Sequence, residues 1–99
     1  MTYKVRFESE AAADLERLWD FLADSDPSVA AAAIDAIQQA VLALTSFPFS
    51  FRKVEGGGPF LRELLIPFGS AGYVVLYDIG SEETITILAV RHQREEDYH

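Results

Sequence analysis

Apolar and polar residues alternate at the start of the chain, with Tyr3, Val5 and Phe7 interleaved between Lys4, Arg6 and Glu8. Period-two alternation marks a strand with one buried face, so residues 3–7 are the first predicted strand. The period then changes. Ala11, Leu15, Leu18, Trp19 and Leu22 recur at spacings of three and four, which predicts an amphipathic helix over residues 10–24. Ser9 is its expected N-cap, and Glu10, Asp14 and Glu16 suit the positive end of its dipole. Asp26 followed by Pro27 gives a second cap and a residue suited to a first helical turn. Behind them Ala30, Ile34, Ile37, Val41 and Leu44 form the stripe of a second helix, from residue 28 to about 46. The pair reads as a helical hairpin whose alanines allow close approach.

Phe47-Pro48-Phe49 ends the helical pattern, and residues 50–59, with Gly56-Gly57-Gly58, read as an exposed, mobile loop. A phosphate-cradling loop would end in Lys-Ser or Lys-Thr before a helix, and neither is present. Three more strands follow at residues 60–66, 72–79 and 84–91, separated by a turn at 67–70 and a hairpin loop at 80–83. The order β-α-α-β-β-β predicts one α+β domain over residues 1–99, a two-layer fold with a helical hairpin on one face of a largely antiparallel sheet. Its expected core is Val5, Phe7, Leu15, Leu18, Trp19, Leu22, Ile34, Ile37, Val41, Leu44, Val75, Ile87 and Leu88.

Charge narrows the function classes. The net charge is −8, from 8 basic and 16 acidic residues. Phosphate-backbone binding draws on clustered Lys and Arg, so no direct nucleic-acid partner is expected. There is no cysteine, which excludes disulfides and thiolate metal sites and allows a reducing compartment. No run approaches the roughly 18 apolar residues that would span a bilayer. The expected setting is the cytoplasm, away from membranes.

Candidate chemistry gathers where the last strand ends, at Arg91, His92 and Arg94, followed by Glu95, Glu96, Asp97, Tyr98 and His99. His92, Asp97 and His99 have no evident supporting shell, so neither a metal nor a cofactor is expected. Arg62 lies among leucines and is expected either to pair with a carboxylate or to meet a ligand. Tyr73 and Tyr77 share a strand face with Val75 and Ile79 and read as core or groove lining rather than as platforms for bases.

The Phe47-Pro48 break, Leu61-Arg62-Glu63-Leu64, Tyr73-Val74-Val75-Leu76-Tyr77 and Ile87-Leu88-Ala89-Val90-Arg91-His92, in this order and spacing, resemble the RelE/ParE superfamily of bacterial toxins. The similarity covers essentially the whole chain and points to the ParE-like, plasmid-stabilisation branch. It implies the toxin of a type II toxin–antitoxin pair, neutralised by direct binding of a cognate antitoxin in a hetero-oligomer. ParE-like members are described as inhibitors of DNA gyrase, whereas RelE-like members cleave messenger RNA in the ribosomal A site.

For a nuclease the resemblance implies Arg62, Arg91, His92, Arg94 and Tyr98 as the catalytic groups, with Arg52 and Lys53 contributing from the loop. For a protein-directed toxin it implies a groove on the sheet face left uncovered by the helices, lined by Leu61, Leu65, Tyr73 and Tyr77, with Arg91 and His92 as further contacts. The acidic chain and the three acids after Arg94 favour the second, non-enzymatic reading, with gyrase as target. The alternatives are the endoribonuclease and a non-toxic relative that retains antitoxin binding.

Overall fold

Short-range signals set the helix boundaries in the computed structural model, which describes residues 2–93. Strand β1 (Lys4–Phe7) leads into helix α1 (Ser9–Ser25) and helix α2 (Pro27–Ala43). Asp26 separates the two helices and caps the second, accepting from the Ser28 backbone N–H at 2.9 Å and from the Ser28 hydroxyl at 2.7 Å. Those bonds hold its carboxyl below the usual carboxylate range. Ser9 is not the cap of α1. That position belongs to Glu8, whose side chain makes no capping bond, and Ser9 is already the first helical residue.

A single 3₁₀ turn (Pro48–Ser50) precedes a short strand absent from the sequence reading, β2 (Arg52–Lys53). Three long strands follow: β3 (Leu61–Phe68), β4 (Ala71–Ile79) and β5 (Thr84–His92). The sheet order is β1-β5-β4-β3-β2, antiparallel except where β1 runs parallel to β5. Pro67 lies inside β3 rather than in the expected turn, which narrows to Gly69 and Ser70. Gly72 is required beside that turn, because a Cβ there would run into the Ile66 carbonyl.

One irregularity decides which way the end of β5 faces. Leu76 pairs with Ala89 but Tyr77 pairs with Ile87, so Leu88 is a bulged residue with no partner in the ladder. A bulge shifts the alternation of faces by one residue. Ile85 and Ile87 before it, and Val90 after it, therefore all lie in the helix-facing core.

That core joins Ala11, Leu18, Ala33, Ile37, Val41 and Leu44 of the helical hairpin to Leu64, Ile66, Tyr73, Val75, Tyr77 and Ile79 of the sheet. Four expected core residues lie outside that cluster, one of them Ile34, half-buried next to the fully buried Ala33. Trp19 is 40% exposed, one position off the α1 stripe, and Phe7 is similarly exposed near the sheet edge. Leu88 is half-buried as the bulge residue. Ile37→Ala should cost about 2 to 5 kcal/mol in urea denaturation, because the site is fully buried on all sides. Trp19→Ala should cost distinctly less, despite removing the larger side chain.

Candidate functional site

The two ends of the sheet divide the sequence-predicted site residues between them. At one end Arg62, on β3, is only 8% exposed. Its Nε donates to the Pro59 carbonyl at 2.9 Å, and its Nη1 donates to the carbonyls of Phe49 at 3.1 Å and Phe51 at 2.9 Å. The guanidinium also lies 5.4 Å from the centroid of the Phe49 ring, within reach of a cation–π attraction. Backbone carbonyls, rather than the carboxylate that was one of the two expected partners, take this cation.

Tyr77 pairs with Arg62 across the β3–β4 ladder and is fully buried. Its hydroxyl donates to the Pro48 carbonyl at 2.6 Å. Burial pushes the phenol up to about 12, against a smaller opposing pull from the Arg62 charge. Arg62 and Tyr77 together fasten the 48–59 segment to the sheet.

The expected groove is corrected at this point. Pairing puts Arg62 opposite Tyr77, Leu64 opposite Val75 and Ile66 opposite Tyr73, all on the helix-facing side. Leu61 and Leu65 fall on the other face, where Leu65 is exposed. Tyr73 and Tyr77 therefore cannot line a groove with Leu61 and Leu65, because the β3 register sends the two pairs to opposite sides.

At the other end His92, brought to the helix-facing side by the bulge, meets the Tyr73 ring edge-on at a centroid distance of 5.5 Å. Both belong to an open cleft of about 670 Å³ between α1 and the β3–β4 hairpin. Arg17, Leu18, Phe21 and Leu22 line one wall, and Phe68, Gly69, Ser70, Ala71, Tyr73 and His92 the other. Arg91 points to the edge of the sheet that β1 leaves uncovered after Phe7, and its Nε lies 3.7 Å from the Asp14 carboxylate.

Asp14 is the residue that sequence reasoning placed wrongly. It is buried, accepting from the Val90 backbone N–H at 2.9 Å and from Arg17 Nη1 at 2.8 Å. Where β1 has ended, the Asp14 side chain replaces it as the partner of β5. The signal was available: an acid three residues after Ala11 and four before Leu18 lies on the apolar stripe.

The proposed nuclease groups are thus not assembled among the described residues. Tyr77 beside Arg62 and Tyr73 beside His92 are four residues apart on β4, roughly 13 Å of strand, and Arg62 and His92 flank β4 on opposite sides. Arg52 is bonded to Glu63 at 2.8 Å. Arg94 and Tyr98 lie outside the described residues. Within residues 2–93 there is no cluster of three or more His, Asp or Glu side chains able to hold a metal, and no helix long and apolar enough to cross a membrane.

Residues 5–97 match the family model described as the ParE toxin of the type II toxin–antitoxin system parDE. The chain is 37% identical over 87 residues to Toxin RelE1 of Caulobacter vibrioides, a match covering 87% of this chain and 90% of that relative. It is similar in structure to a chain of the chromosomal ParDE TA system from P. aeruginosa, with TM-score 0.74 at 20% identity, covering 92% of this chain and 96% of that one. It is also similar to a chain of the toxin–antitoxin complex RelBE2 from Mycobacterium tuberculosis, with TM-score 0.54 at 27% identity, covering 94% and 100%. The first of these structural likenesses speaks for the fold alone.

Two measurements check the roles assigned here. Asp14→Ala should cost about 1 to 3 kcal/mol in denaturant, because it strands the buried Val90 N–H, and Asp14→Asn should recover part of that loss by restoring an acceptor. The raised Tyr77 pKa gives a stability contribution that is complete below pH 10, the ordinary phenol value, and is lost as pH rises toward about 12. Stability curves of the wild type and Tyr77→Phe should therefore converge over that window.

Proposed function

The chain belongs to the ParE toxin family of type II toxin–antitoxin systems, and from that premise we propose that it poisons DNA gyrase by protein–protein contact in the cytoplasm. It acts without a cofactor and is neutralised by a cognate antitoxin that binds it directly in a hetero-oligomer. The observation that carries the non-enzymatic reading is the state of Arg62. A cation that stabilises a transition state must reach the developing charge, and this one is buried against three backbone carbonyls.

The cleft between α1 and the β3–β4 hairpin is the antitoxin's docking surface in this reading. Its walls are largely apolar, Phe21 stands exposed at its rim, and Arg17 and His92 favour a helix that brings apolar anchors flanked by carboxylates. Tyr73 and His92 keep their place as contact residues, now in this cleft, and Leu61 and Leu65 do not.

The endoribonuclease stands as a second reading because the relative at 37% identity is named Toxin RelE1. His92, in an open cleft, would be its general base or acid. The purified toxin should inhibit gyrase supercoiling and leave RNA intact with or without ribosomes. Ribosome-dependent cleavage that disappears in His92→Ala would replace the gyrase reading with the nuclease. Failure of both assays would leave a toxin with a different target or an inactive relative that retains antitoxin binding.

A further inference from the structure

Asp14 holds both walls of the cleft while lining neither. It is 6% exposed. Its Oδ1 accepts from Nη1 of Arg17 at 2.8 Å, and the Arg17 side chain, 51% exposed, belongs to the first wall. Its Oδ2 accepts from the Val90 backbone N–H at 2.9 Å, two residues before His92 on the second wall. At that point β5 has just passed the Leu88 bulge, which interrupts its ladder with β4, and β1 no longer flanks it. One rigid carboxylate thus sets where the two basic groups of the cleft stand relative to each other.

Backbone satisfaction alone does not call for an acid here. The Val90 N–H needs one acceptor, which a neutral asparagine would supply without burying a charge. An Asp–Arg pair three residues apart on a helix adds little stability by itself. What the second oxygen does is fix, before any partner arrives, a long cation that would otherwise sample many rotamers beside the cleft. From this geometry we propose that Asp14 is the positioning residue of the docking cleft: by holding Arg17 and the His92 end of β5 in one relation, it sets the match to acidic side chains on the partner helix and hence the selectivity for an acidic partner. The inference rests on the reading of the cleft as the antitoxin's docking surface.

Placement and charge act in opposite directions at this residue, which makes the proposal decidable. Asp14 is itself negative and adjoins the cleft through Arg17, so its field alone disfavours a partner's carboxylates. Arg91, with its Nε 3.7 Å from Oδ2, offsets part of that charge. If only charge counted, neutralising Asp14 would strengthen the binding of an acidic partner. If placement dominates, the same change weakens it, because a half-exposed arginine without its anchor must be ordered at the moment of binding. Asparagine presents one oxygen and one NH₂ where aspartate presents two oxygens, so in the observed geometry it can keep Val90 or hold Arg17 but not both.

The test titrates the full-length toxin with a capped amphipathic helical peptide of about 18 residues, a leucine stripe flanked by glutamates, and with a counterpart in which every glutamate is glutamine. The readout is the ratio of the two affinities, because a variant that merely loses folded protein weakens both peptides alike. Wild type should prefer the glutamate peptide, with NMR shifts at Arg17, Tyr73 and His92. Asp14→Asn should lower that preference by about fivefold or more. In a background carrying Arg17→Gln and His92→Gln, the groups through which Asp14 acts, the same substitution should change it by less than about twofold. A further measurement needs no variant to fold: in the free wild type the two Nη resonances of Arg17 should be resolved, as for a guanidinium held in place. A preference kept or raised in Asp14→Asn, an undiminished effect in the doubly substituted background, or averaged Arg17 resonances would each overturn the proposal by itself. A wild type without preference, or with shifts outside the cleft, would overturn the docking reading and this inference with it.

Discussion

Arg62 carries a permanent charge into a nearly buried position, and everything at that end of the sheet is arranged to compensate for it. Burying an unpaired guanidinium would cost several kcal/mol. The compensation comes from carbonyls of Phe49, Phe51 and Pro59, which is possible only if the 48–59 segment folds back over β3. Tyr77 makes the same demand through Pro48. A stretch that would otherwise be a long glycine-containing loop is therefore drawn into a 3₁₀ turn and an edge strand. The exposed phenylalanines and the open β2 edge are consequences of where that segment is held.

The opposite end solves a different problem. β1 has only four residues, so the last part of β5 has β4 on one side and no strand on the other. A side chain fills the gap, since α1 crosses that edge and Asp14 accepts the Val90 N–H. The bulge at Leu88 then turns His92 inward against Tyr73 and leaves Arg91 on the outside, near enough to Asp14 for an ion pair. Most basic groups at the two ends thus have partners that order backbone or position a wall. In the proposed reading of this acidic chain, arginine used in this way builds surfaces for contact rather than a centre for phosphate chemistry.

Much of the fold was legible because its signals are local. Alternation at residues 3–7, the stripes ending at Leu22 and Leu44, and the Asp26-Pro27 cap each specify an element without reference to the rest of the chain. The site was legible only in part, because it depends on register. Neither the pairing that puts Tyr73 and Tyr77 opposite Ile66 and Arg62, nor the bulge that reverses the faces of β5, leaves a mark in composition or spacing. Long-range hydrogen bonds were invisible for the same reason. Asp14 and Val90 are 76 residues apart, and nothing near either announces the other. β2 escaped notice because its two residues pair only where Arg62 holds the segment.

The central claim is that Arg62 is a bolt for the 48–59 segment and not a catalytic cation. Amide hydrogen exchange of wild type and Arg62→Met, read beside growth inhibition without antitoxin, tests it most directly. The account predicts that the variant stays folded, that protection falls selectively over residues 48–62, and that any loss of toxicity accompanies that local opening. Unchanged protection over the segment, together with abolished toxicity, would contradict it and return Arg62 to a direct role in the toxin's chemistry.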